Sequence, residues 1–525
     1  MSLRLVLPIT GELDGTRRTL RALARQTEPG WSITIAVRET LARRCRRLVW
    51  SLGWRLARRT DIVTGPAQAS PRDIFGLGVS AGDSSPIALV FPGDLWAPDA
   101  VDLLAEGLAH DDVVYADEDR IDADGRHCDP RLKPRYSPDF LMASAYAGRP
   151  LAFRPHLVDG FDPVAHEPRA LEHEYALYAC AAASSVGHVA EVLCHRTDVT
   201  PTDSGESGYV QAALRRRDDL SDVNADPSAD TFRIVRRSPA RVTVTVMIPF
   251  RDQPQFLRTC VDSVRATAGD GDLEMLLVDN GSSDLETLTL AERFSTLEGV
   301  RLLHDPQPFN WARLNNLAAG EAGGQVLLFL NNDIEALRAG WLDALVAQAL
   351  RPDVGAAGAR LLYPNRRLQH CGLVIGLNGA AGHPLVGLDG DAPGYLHMAK
   401  VARECAAVTG ACLATRREVF VALGGFDETL GVDLNDVDYC LRAAQEGYRT
   451  IYEPAAELVH HESPSRGTAG GVGDIVRFVE RWKDYIERGD TYLSPHITRS
   501  DPSCALATPE EQEAWNQWYS TVTLG

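Results

Sequence analysis

The sequence predicts an α/β protein in which two similar domains, each built on a mostly parallel β-sheet, stand in tandem and are followed by a C-terminal helical extension. Two observations carry this prediction. Short apolar runs typical of buried strands alternate with helical patterns, and segments of the first half of the 525-residue chain recur in the second half. A strand and helix order of this kind indicates parallel strands that are covered by helices on both faces.

The internal repeat indicates where each domain lies. Residues 3–10 (LRLVLPIT) resemble residues 242–250 (VTVTVMIPF), since both are apolar runs with β-branched residues that end at or near a proline. Residues 87–104 resemble residues 326–345. An Asp-, Ser-, Arg- and Pro-rich segment without periodicity separates the copies and is typical of a linker. The predicted divisions are a first domain at 1–200, a linker at 201–239, a second domain at 240–467 and the helical extension at 468–525.

The second copy shows the strand and helix pattern most clearly. Between its first two strands, the apolar residues recur at helical spacing and predict one buried helical stripe, formed by Phe256, Leu257, Cys260, Val261 and Val264. Ligands of open parallel sheets bind outside the carboxyl ends of the strands. Strands are expected at 242–248, 273–278, 300–303 and 326–330.

Charge and cysteine content restrict the partners of the chain. The 53 Lys and Arg residues face 72 Asp and Glu residues, and the net charge of -19 would repel a phosphate backbone, so nucleic acid is not expected as a main partner. The ten cysteines form no Cys-x-x-Cys pair, and the start of the chain lacks a secretory signal. No apolar run approaches the roughly 20 residues that span a bilayer. We therefore expect a cytoplasmic protein.

One arginine-rich segment at residues 43–59 departs from this acidic character. Seven arginines alternate there with apolar residues that include Trp50 and Trp54. The pattern favours a helix whose apolar side packs on its own sheet. It leaves open a peripheral contact with the inner face of an anionic membrane.

Polar side chains follow two apolar strands of the second copy. Asp279 and Asn280 begin a turn that exposes backbone amides to a nucleotide, although Asn-Gly-Ser-Ser is also an ordinary turn sequence. Asn331, Asn332 and Asp333 follow the fourth strand. One carboxylate beside a diphosphate is enough to hold a hard divalent cation, and the alternative is an acidic turn that caps the next helix.

Two further polar groups lie near the end of the second copy. Asp436 stands at the start of a helix, where it either caps that helix or serves as a carboxylate that accepts a proton. His460 and His461 follow an apolar run. A histidine pair beside an Asn-Asn-Asp turn favours metal ligation over a structural role, and mixed nitrogen and oxygen ligands suit Mn²⁺.

Taken together, these motifs resemble the family-2 inverting glycosyltransferases of the GT-A fold, especially the rhamnosyltransferase-like enzymes of bacterial polysaccharide synthesis. The resemblance covers residues 242–495. The motifs that carry it are IPF at 248–250, LLVDNGSSD at 276–284, FNWARLNNLAA at 309–319, LLFLNND at 327–333, VTGACLATRREVF at 408–420, GGFDE at 424–428, NDVDYCLR at 435–442 and HHESPSRG at 460–467. By this resemblance both domains are GT-A-like, with Rossmann-like sheets.

The resemblance implies a role for each candidate residue. Asp436 is the expected general base, Asp333 the ligand of a Mn²⁺ or Mg²⁺ ion that bridges the donor diphosphate, and His460 or His461 a second ligand. Asn331 stands where the family usually has a first acid. The remaining candidates are the donor-binding residues Pro249, Asp279, Asn280, Asn315 and Asn332, and the acceptor-side or supporting residues Asn435, Asp438 and Arg313.

The implied reaction is a single displacement that inverts the anomeric carbon. The donor is a nucleotide-diphosphate sugar, and the acceptor is a hydroxyl of a glycan, a lipid-linked glycan or a protein, in the synthesis of surface polysaccharide or glycoconjugate. Alternatives are a non-catalytic carbohydrate-binding scaffold and a nucleotidyltransferase. Self-association through the helical extension is left open.

The first copy resembles the same family less completely. Residues 115–141 look like the N-terminal domain of two-domain members, and His195 occupies the place of His460. Its second strand, however, has no counterpart of Asp279, and its acidic turn is reduced to Pro92-Gly93-Asp94. We expect an inactive or repurposed domain; the alternative is a second active transferase, which would make the enzyme bifunctional.

Overall fold

The computed structural model describes residues 2–11, 13–197, 206–217, 221–226, 231–237, 242–269, 272–462 and 472–511. The chain divides into two compact units, Met1–Ile234 and Val235–Gly525. Within these described ranges, no helix is both long enough and apolar enough to cross a membrane.

The first unit contains a large mixed sheet and a separate hairpin. Its strands are β1 (Leu3–Ile9), β2 (Trp31–Arg38), β3 (Thr60–Gly65), β4 (Ile87–Leu89), β5 (Leu95–Trp96), β6 (Val113–Ile121), β7 (His127–Arg131), β8 (Leu151–Phe153), β9 (Val186–Arg196), β10 (Asp222–Asp226) and β11 (Thr231–Val235). Its helices are α1 (Asp14–Leu23), α2 (Glu39–Ser51), α3 (Trp54–Ala57), α4 (Pro71–Ser80), α5 (Ala100–His110), α6 (Pro138–Ala143), α7 (Pro168–Ala182) and α8 (Gly208–Arg216).

The second unit has a larger sheet and a long C-terminal helix. Its strands are β12 (Val244–Phe250), β13 (Leu273–Asp279), β14 (Val300–His304), β15 (Val326–Leu330), β16 (Ile334–Ala336), β17 (Val354–Leu362), β18 (Leu368–His370), β19 (Val374–Ile375), β20 (Ala381–Gly382), β21 (Arg403–Cys405), β22 (Cys412–Arg416) and β23 (Arg449–His460). Its helices are α9 (Pro254–Thr267), α10 (Leu285–Ser295), α11 (Trp311–Glu321), α12 (Trp341–Ala349), α13 (Arg417–Ala422), α14 (Asn435–Gln445) and α15 (Val472–Arg488).

The two main sheets have the same strand order, which confirms the predicted pair of similar α/β domains. In the first unit the order is β3-β2-β1-β4-β8-β6-β9-β5, with β7 beside β6. In the second it is β14-β13-β12-β15-β22-β17-β23-β16, with β18 beside β17. The first four strands of each path are parallel, whereas β8 and β22 run antiparallel to their neighbours.

Apolar strands buried on both faces explain why these sheets form. All seven residues of β12 and all five of β15 are buried, as expected for strands between two helical layers. The predicted stripe of α9 faces this core, where Leu257, Cys260 and Val264 are fully buried. The carboxyl ends of β12, β13 and β15 therefore lie together at one edge of the sheet.

The segment predicted as a linker contains regular structure. Helix α8 and the β10–β11 hairpin fall within it, and the Tyr209 hydroxyl lies 3.0 Å from Nδ1 of the buried His173. Phe232 of β11 is buried and stacks near the same imidazole. These few apolar residues are too sparse to stand out in the sequence, yet they bury enough surface to hold the segment on the first unit.

Candidate active site

A cleft of about 440 Å³ opens in the second unit beyond the carboxyl end of β15. Its walls come from the turn after β15, the start of α11, the loop before β22 and the first turn of α14. The residues used below are Trp311, Asn331, His383, Thr409, Gly410 and Asp436. The sequence-predicted carboxylate Asp436 therefore lies in a cleft at the edge where ligands of such sheets bind.

The start of α14 fixes the Asp436 side chain. Oδ2 of Asp436 accepts a hydrogen bond of 2.6 Å from the backbone N–H of Gly410, and Oδ1 accepts one of 2.8 Å from the N–H of Val437. Only glycine fits at position 410, because a Cβ there would lie 2.6 Å from Cη2 of Trp311. Hydrogen bonds to an ionised carboxylate and the helix N-terminus both stabilise its charged form.

Asn331 orients the side chain of Trp311. The indole N–H of Trp311 donates a hydrogen bond of 3.1 Å to Oδ1 of Asn331. Since the amide oxygen accepts this bond, it is already engaged at the position where the resembled family has its first acid. The neighbouring Asn332 lies in the same turn and is only partly buried.

The Asp333 carboxylate lies beside the His460 ring, whereas His461 contacts Asp333 only through a backbone hydrogen bond of 2.9 Å from its N–H to the Asp333 carbonyl. The antiparallel pairing of Ile334 with His460 brings the end of β23 beside the acidic turn, and Nε2 of His460 lies 3.1 Å from Oδ1 of Asp333. Nδ1 of His460 lies 2.7 Å from Oε1 of Gln369. The His461 ring instead contacts Glu335, with 2.9 Å between Nε2 and Oε2.

Two of these partners, Gln369 and Glu335, escaped the sequence analysis. Gln369 lies on the short strand β18, and only the pairing of β18 with β17 brings it to β23. Glu335 is two residues beyond Asp333, on the next outward position of β16. The remaining residues of the HHESPSRG motif, 463–467, lie outside the described residues.

The polar side chains of the predicted nucleotide-binding turn form contacts within the turn and with neighbouring residues. Oδ1 of Asp279 accepts a hydrogen bond of 2.9 Å from the Ser282 N–H, and Oδ2 lies 3.3 Å from Nδ1 of His304. The Asn280 amide donates to the carbonyls of Asp305 and Gln307, at 2.8 Å each. Asp279 is 5% exposed and sits at the end of β13, whereas Asn280 serves to hold the loop after β14.

The other candidates support the framework around the cleft. Pro249 is buried within β12. The fully buried Asn315 donates to the carbonyl of Trp311 at 2.9 Å, and Asn435 donates to the carbonyl of Leu430 at 3.1 Å. Arg313 forms an ion pair of 2.8 Å with Asp305.

Asp438 lies only two residues beyond Asp436 and points into the protein. It accepts hydrogen bonds from Arg442 at 2.8 Å, Arg481 at 2.8 Å and the Trp482 indole at 3.0 Å. Its carboxylate is completely buried, and its hydrogen bonds to two residues of α15 anchor that helix.

A histidine pair that the sequence analysis missed lies at the cleft. Nδ1 of His370 is 2.9 Å from Nδ1 of His383, and Nε2 of His370 accepts hydrogen bonds from the backbone N–H groups of Gly372 and Thr409. Burial, followed by the positive charges of His383, Arg403 and His460, holds the pKa of His370 well below its usual value.

The neutral form of His370 sets the tautomer of its partner. Because Nε2 of His370 accepts two N–H groups, its single proton is on Nδ1 and is donated to Nδ1 of His383. A neutral His383 then carries its proton on Nε2, as a donor at the cleft wall. The loop that follows β20 carries His383 to the cleft that Asp436 also lines, so no local motif signals it.

In the first unit, the acidic residue that corresponds to Asp333 is engaged in an ion pair. Leu95 pairs with His195 in the same register as Ile334 with His460, so Asp94 occupies the place of Asp333. Asp94 is 1% exposed and forms an ion pair of 2.9 Å with Arg149. Arg149 also binds Glu172.

Comparison with known proteins agrees with this geometry. Residues 245–424 match the family described as Glycosyl transferase family 2. The chain is 36% identical over 430 residues, 76% of its length, to the O-antigen biosynthesis protein RfbC of Myxococcus xanthus, and spans 32% of the length of that relative. It is 28% identical over 215 residues, 37% of its length, to the N-acetylglucosaminyl-diphospho-decaprenol L-rhamnosyltransferase of Mycobacterium tuberculosis, and spans 68% of that protein.

The similarities to solved structures are more distant. One is GalNAc-T7 crystallised with UDP, GalNAc and Mn²⁺, at 18% identity and a TM-score of 0.38, covering 57% of this chain and 58% of that one.

The matched segment runs from β12 to β22 and contains the acidic turn and part of the cleft wall, whereas Asp436 and His460 lie beyond its end. Residues 245–424 therefore match glycosyltransferase family 2, and the unit that contains them has an α/β, GT-A-type fold.

Proposed function

We propose that the chain is a metal-dependent inverting glycosyltransferase that moves a sugar from a nucleotide-diphosphate sugar to an acceptor hydroxyl during polysaccharide or glycoconjugate synthesis. The single observation that carries this proposal is the position of Asp436 in the cleft of the unit whose residues 245–424 match family 2, at the same sheet edge as the Asp333 and His460 pair. The named relatives act in O-antigen biosynthesis and rhamnosyl transfer, which supports this class of product.

The donor set around Asp333 fits a divalent cation. Within the described ranges, the buried Nε2 of His460 has no hydrogen-bond partner, although Oδ1 of Asp333 lies 3.1 Å away. The Gln369 carbonyl oxygen holds the proton of His460 on Nδ1, which leaves the Nε2 lone pair available as a ligand. Asp333 and His460 would hold Mn²⁺ or Mg²⁺, and a bound cation neutralises the charge that develops on a diphosphate leaving group.

The residues of this chain divide the remaining work. Asp436 takes the proton of the acceptor hydroxyl as its oxygen bonds to the anomeric carbon and the bond to the diphosphate breaks on the opposite face. The N–H groups of Gly410 and Val437 hold the Asp436 carboxylate in one orientation. One displacement without an enzyme-bound sugar inverts the anomeric configuration. Asp279 remains the proposed contact for the nucleoside.

The assay follows from the expected products. The protein is incubated with Mn²⁺, a panel of nucleotide sugars and polyprenyl-linked glycan acceptors, and the release of nucleoside diphosphate and the anomeric configuration of the product are measured. Inverted product with free nucleoside diphosphate supports the proposal. In a parallel incubation with nucleoside triphosphates and sugar 1-phosphates, release of diphosphate with formation of a nucleotide sugar would instead indicate a nucleotidyltransferase. Donor binding without turnover would indicate a scaffold.

A basic surface on the first unit favours a membrane-bound acceptor. Ala42, Cys45, Leu48 and Val49 of α2 are buried in the core, so this helix packs on its own sheet as expected. The segment exposes Trp50 of α2 and Trp54 of α3, at 65% and 58%. It also exposes arginines of the same segment, namely Arg43, Arg44, Arg46, Arg47, Arg55 and Arg58.

Exposed tryptophans among arginines suit an anionic lipid surface. The guanidinium groups of Arg55 and Arg58 lie 5.8 and 6.0 Å from the centre of the Trp54 ring. Indole rings partition to the bilayer interface, and each Lys or Arg near an anionic leaflet contributes about 1 kcal/mol. We therefore include peripheral binding at the inner face of the membrane in the proposed function.

Vesicle sedimentation tests the membrane contact. Binding is expected to phosphatidylglycerol vesicles and not to phosphatidylcholine vesicles, and to weaken as salt rises. The Trp50→Ser/Trp54→Ser variant should lose most of it, whereas Leu285→Ser, at a residue 77% exposed in the second unit, should retain it. Equal binding by both variants would reject this surface as the contact.

A further inference from the structure

A second cluster of metal-ligating side chains lies in the first unit, away from the site described above. Asp119, His127 and His195 each offer one ligand atom, and these atoms all lie within 4.8 Å of one another. Nδ1 of His195 is 2.6 Å from Oδ1 of Asp119, and Nδ1 of His127 is 2.7 Å from Oδ2. The two imidazole rings meet edge to face, with 4.6 Å between their centres.

Three adjacent strands build this cluster. Asp119 lies on β6, His195 is its direct partner on the parallel strand β9, and His127 begins the antiparallel strand β7 on the other side of β6. The carboxylate is buried, since Asp119 is 7% exposed, whereas the side chain of His127 is 60% exposed. The fixed backbone pairings hold the three side chains together, and one side faces solvent.

The corresponding histidines of the two units have different acidic partners. His195 and His460 occupy the same position in the strand register, each opposite the residue after the acidic turn. In the second unit the nearby carboxylate is Asp333 of that turn. In the first unit the turn acid pairs with Arg149, and His195 has a different carboxylate, Asp119, on the neighbouring strand. The histidine therefore has the same position in both units, whereas the carboxylate beside it comes from a different element.

We infer that Asp119, His127 and His195 form a site for a first-row divalent cation, best represented by Zn²⁺. Two imidazoles and one carboxylate are a common ligand set for Zn²⁺, and they leave further positions for water or an anionic oxygen. Ligand atoms around such an ion are about 3.3 Å apart, so the two nitrogen–oxygen distances to Asp119 need to open by less than about 1 Å. A bound ion would tie the β6–β7 hairpin to β9.

The neighbouring charges are compatible with a cation. Arg120 is paired with Asp129 at 2.8 Å, and Arg196 faces Glu118 at 3.4 Å. Both arginines flank the ligand positions in their strands, and side chains of successive strand residues point to opposite faces. Their charges are therefore directed away from the face that carries the three ligands.

Metal binding by the full-length protein tests this site without any activity measurement. Protein stripped with a chelator is dialysed against increasing Zn²⁺ in the absence of nucleotide, and the bound metal is counted. We expect His127→Gln to bind one Zn²⁺ fewer than the parent, or to bind that ion at least tenfold more weakly, and Asp119→Asn to do the same. His127 is exposed, so its replacement should leave the fold intact, as circular dichroism would verify.

Two control variants separate this site from other zinc binding. His156→Gln removes an exposed histidine of the same unit and should bind as the parent does. Asp333→Asn alters the second unit and should keep the ion assigned to the first, so the outcome is independent of the proposed function. The inference is overturned if the parent binds no Zn²⁺, or if His127→Gln and Asp119→Asn bind as many ions as tightly as the parent.

Discussion

Replacing Asp438 with asparagine should destabilise the second unit while sparing the carboxylate at position 436. Asp438 is completely buried and accepts hydrogen bonds from Arg442, Arg481 and the indole of Trp482. An amide removes the charge and one acceptor oxygen, while the cations stay in place. The change therefore weakens the attachment of α15 to α14, and it does so at a position only two residues from the proposed base.

The size of the loss follows from the burial of the partners. Hydrogen bonds to a charged group contribute about 1.5–3 kcal/mol each, and the pair with Arg481 counts for less because that side chain is 39% exposed. The amide nitrogen replaces either Oδ2, which accepts from Arg442, or Oδ1, which accepts from Arg481 and Trp482. Because the charge is also removed, we expect the free energy of unfolding to fall by about 3 kcal/mol. For a unit of this size that corresponds to a Tm lower by roughly 6–12 °C.

Differential scanning calorimetry of the full-length protein measures this change. Asp484→Asn, on an exposed position of the same helix, is the matched control and should leave the transition of the second unit where it is. The Asp436→Asn variant should also melt like the parent, because its carboxylate is only partly buried at the cleft. A normal Tm for Asp438→Asn, or an equal loss for all three variants, would refute the anchoring role.

Three other changes have defined outcomes. Gly410→Ala places a Cβ 2.6 Å from the Trp311 ring and displaces the N–H that orients the base, so the kcat of transfer should fall at least tenfold; an unchanged kcat would contradict this geometry. Arg149→Met leaves the buried carboxylate of Asp94 without this cation, and calorimetry should show the first unit losing about 3–5 kcal/mol while transfer at 25 °C persists. Burial alone would raise the pKa of Glu118, but Lys133, Arg196 and Arg131 outweigh it and lower the pKa to about 2. The stabilisation by Glu118 is therefore complete above about pH 4.5 and lost as the pH falls toward 2, and a urea titration of Glu118→Gln should show a weaker acid dependence in that window.

The sequence predicts those elements of the fold that depend on local residue patterns. Buried strands such as β12 and β15 are continuous apolar runs, and the stripe of α9 recurs at helical spacing, so both can be read without long-range information. The antiparallel strands β8 and β22 could not be predicted this way. They are three and five residues long, and their direction is decided by pairing with distant strands.

The candidate site shows the same division. Asp333 follows a recognisable apolar run and Asp436 stands at the start of a recognisable helical pattern, whereas Gln369 and His383 reach the site only through loops and strand pairings that no short motif encodes. Residue type alone also could not tell Asp436 from Asp438. Which of two aspartates in one helical turn faces the cleft depends on where α15 packs, and the partners on that helix are more than 40 residues away.

The most direct test of the account compares transfer with donor binding in the Asp436→Asn protein. Proton removal by a positioned side chain contributes about 10²–10⁴-fold, and this variant should lose that much of kcat while it binds the nucleotide sugar with Mn²⁺ as tightly as the parent. Asp343→Asn, at an exposed first-turn position of α12, serves as the control and should be fully active. Transfer by Asp436→Asn at the rate of the parent would contradict the central claim that this carboxylate activates the acceptor.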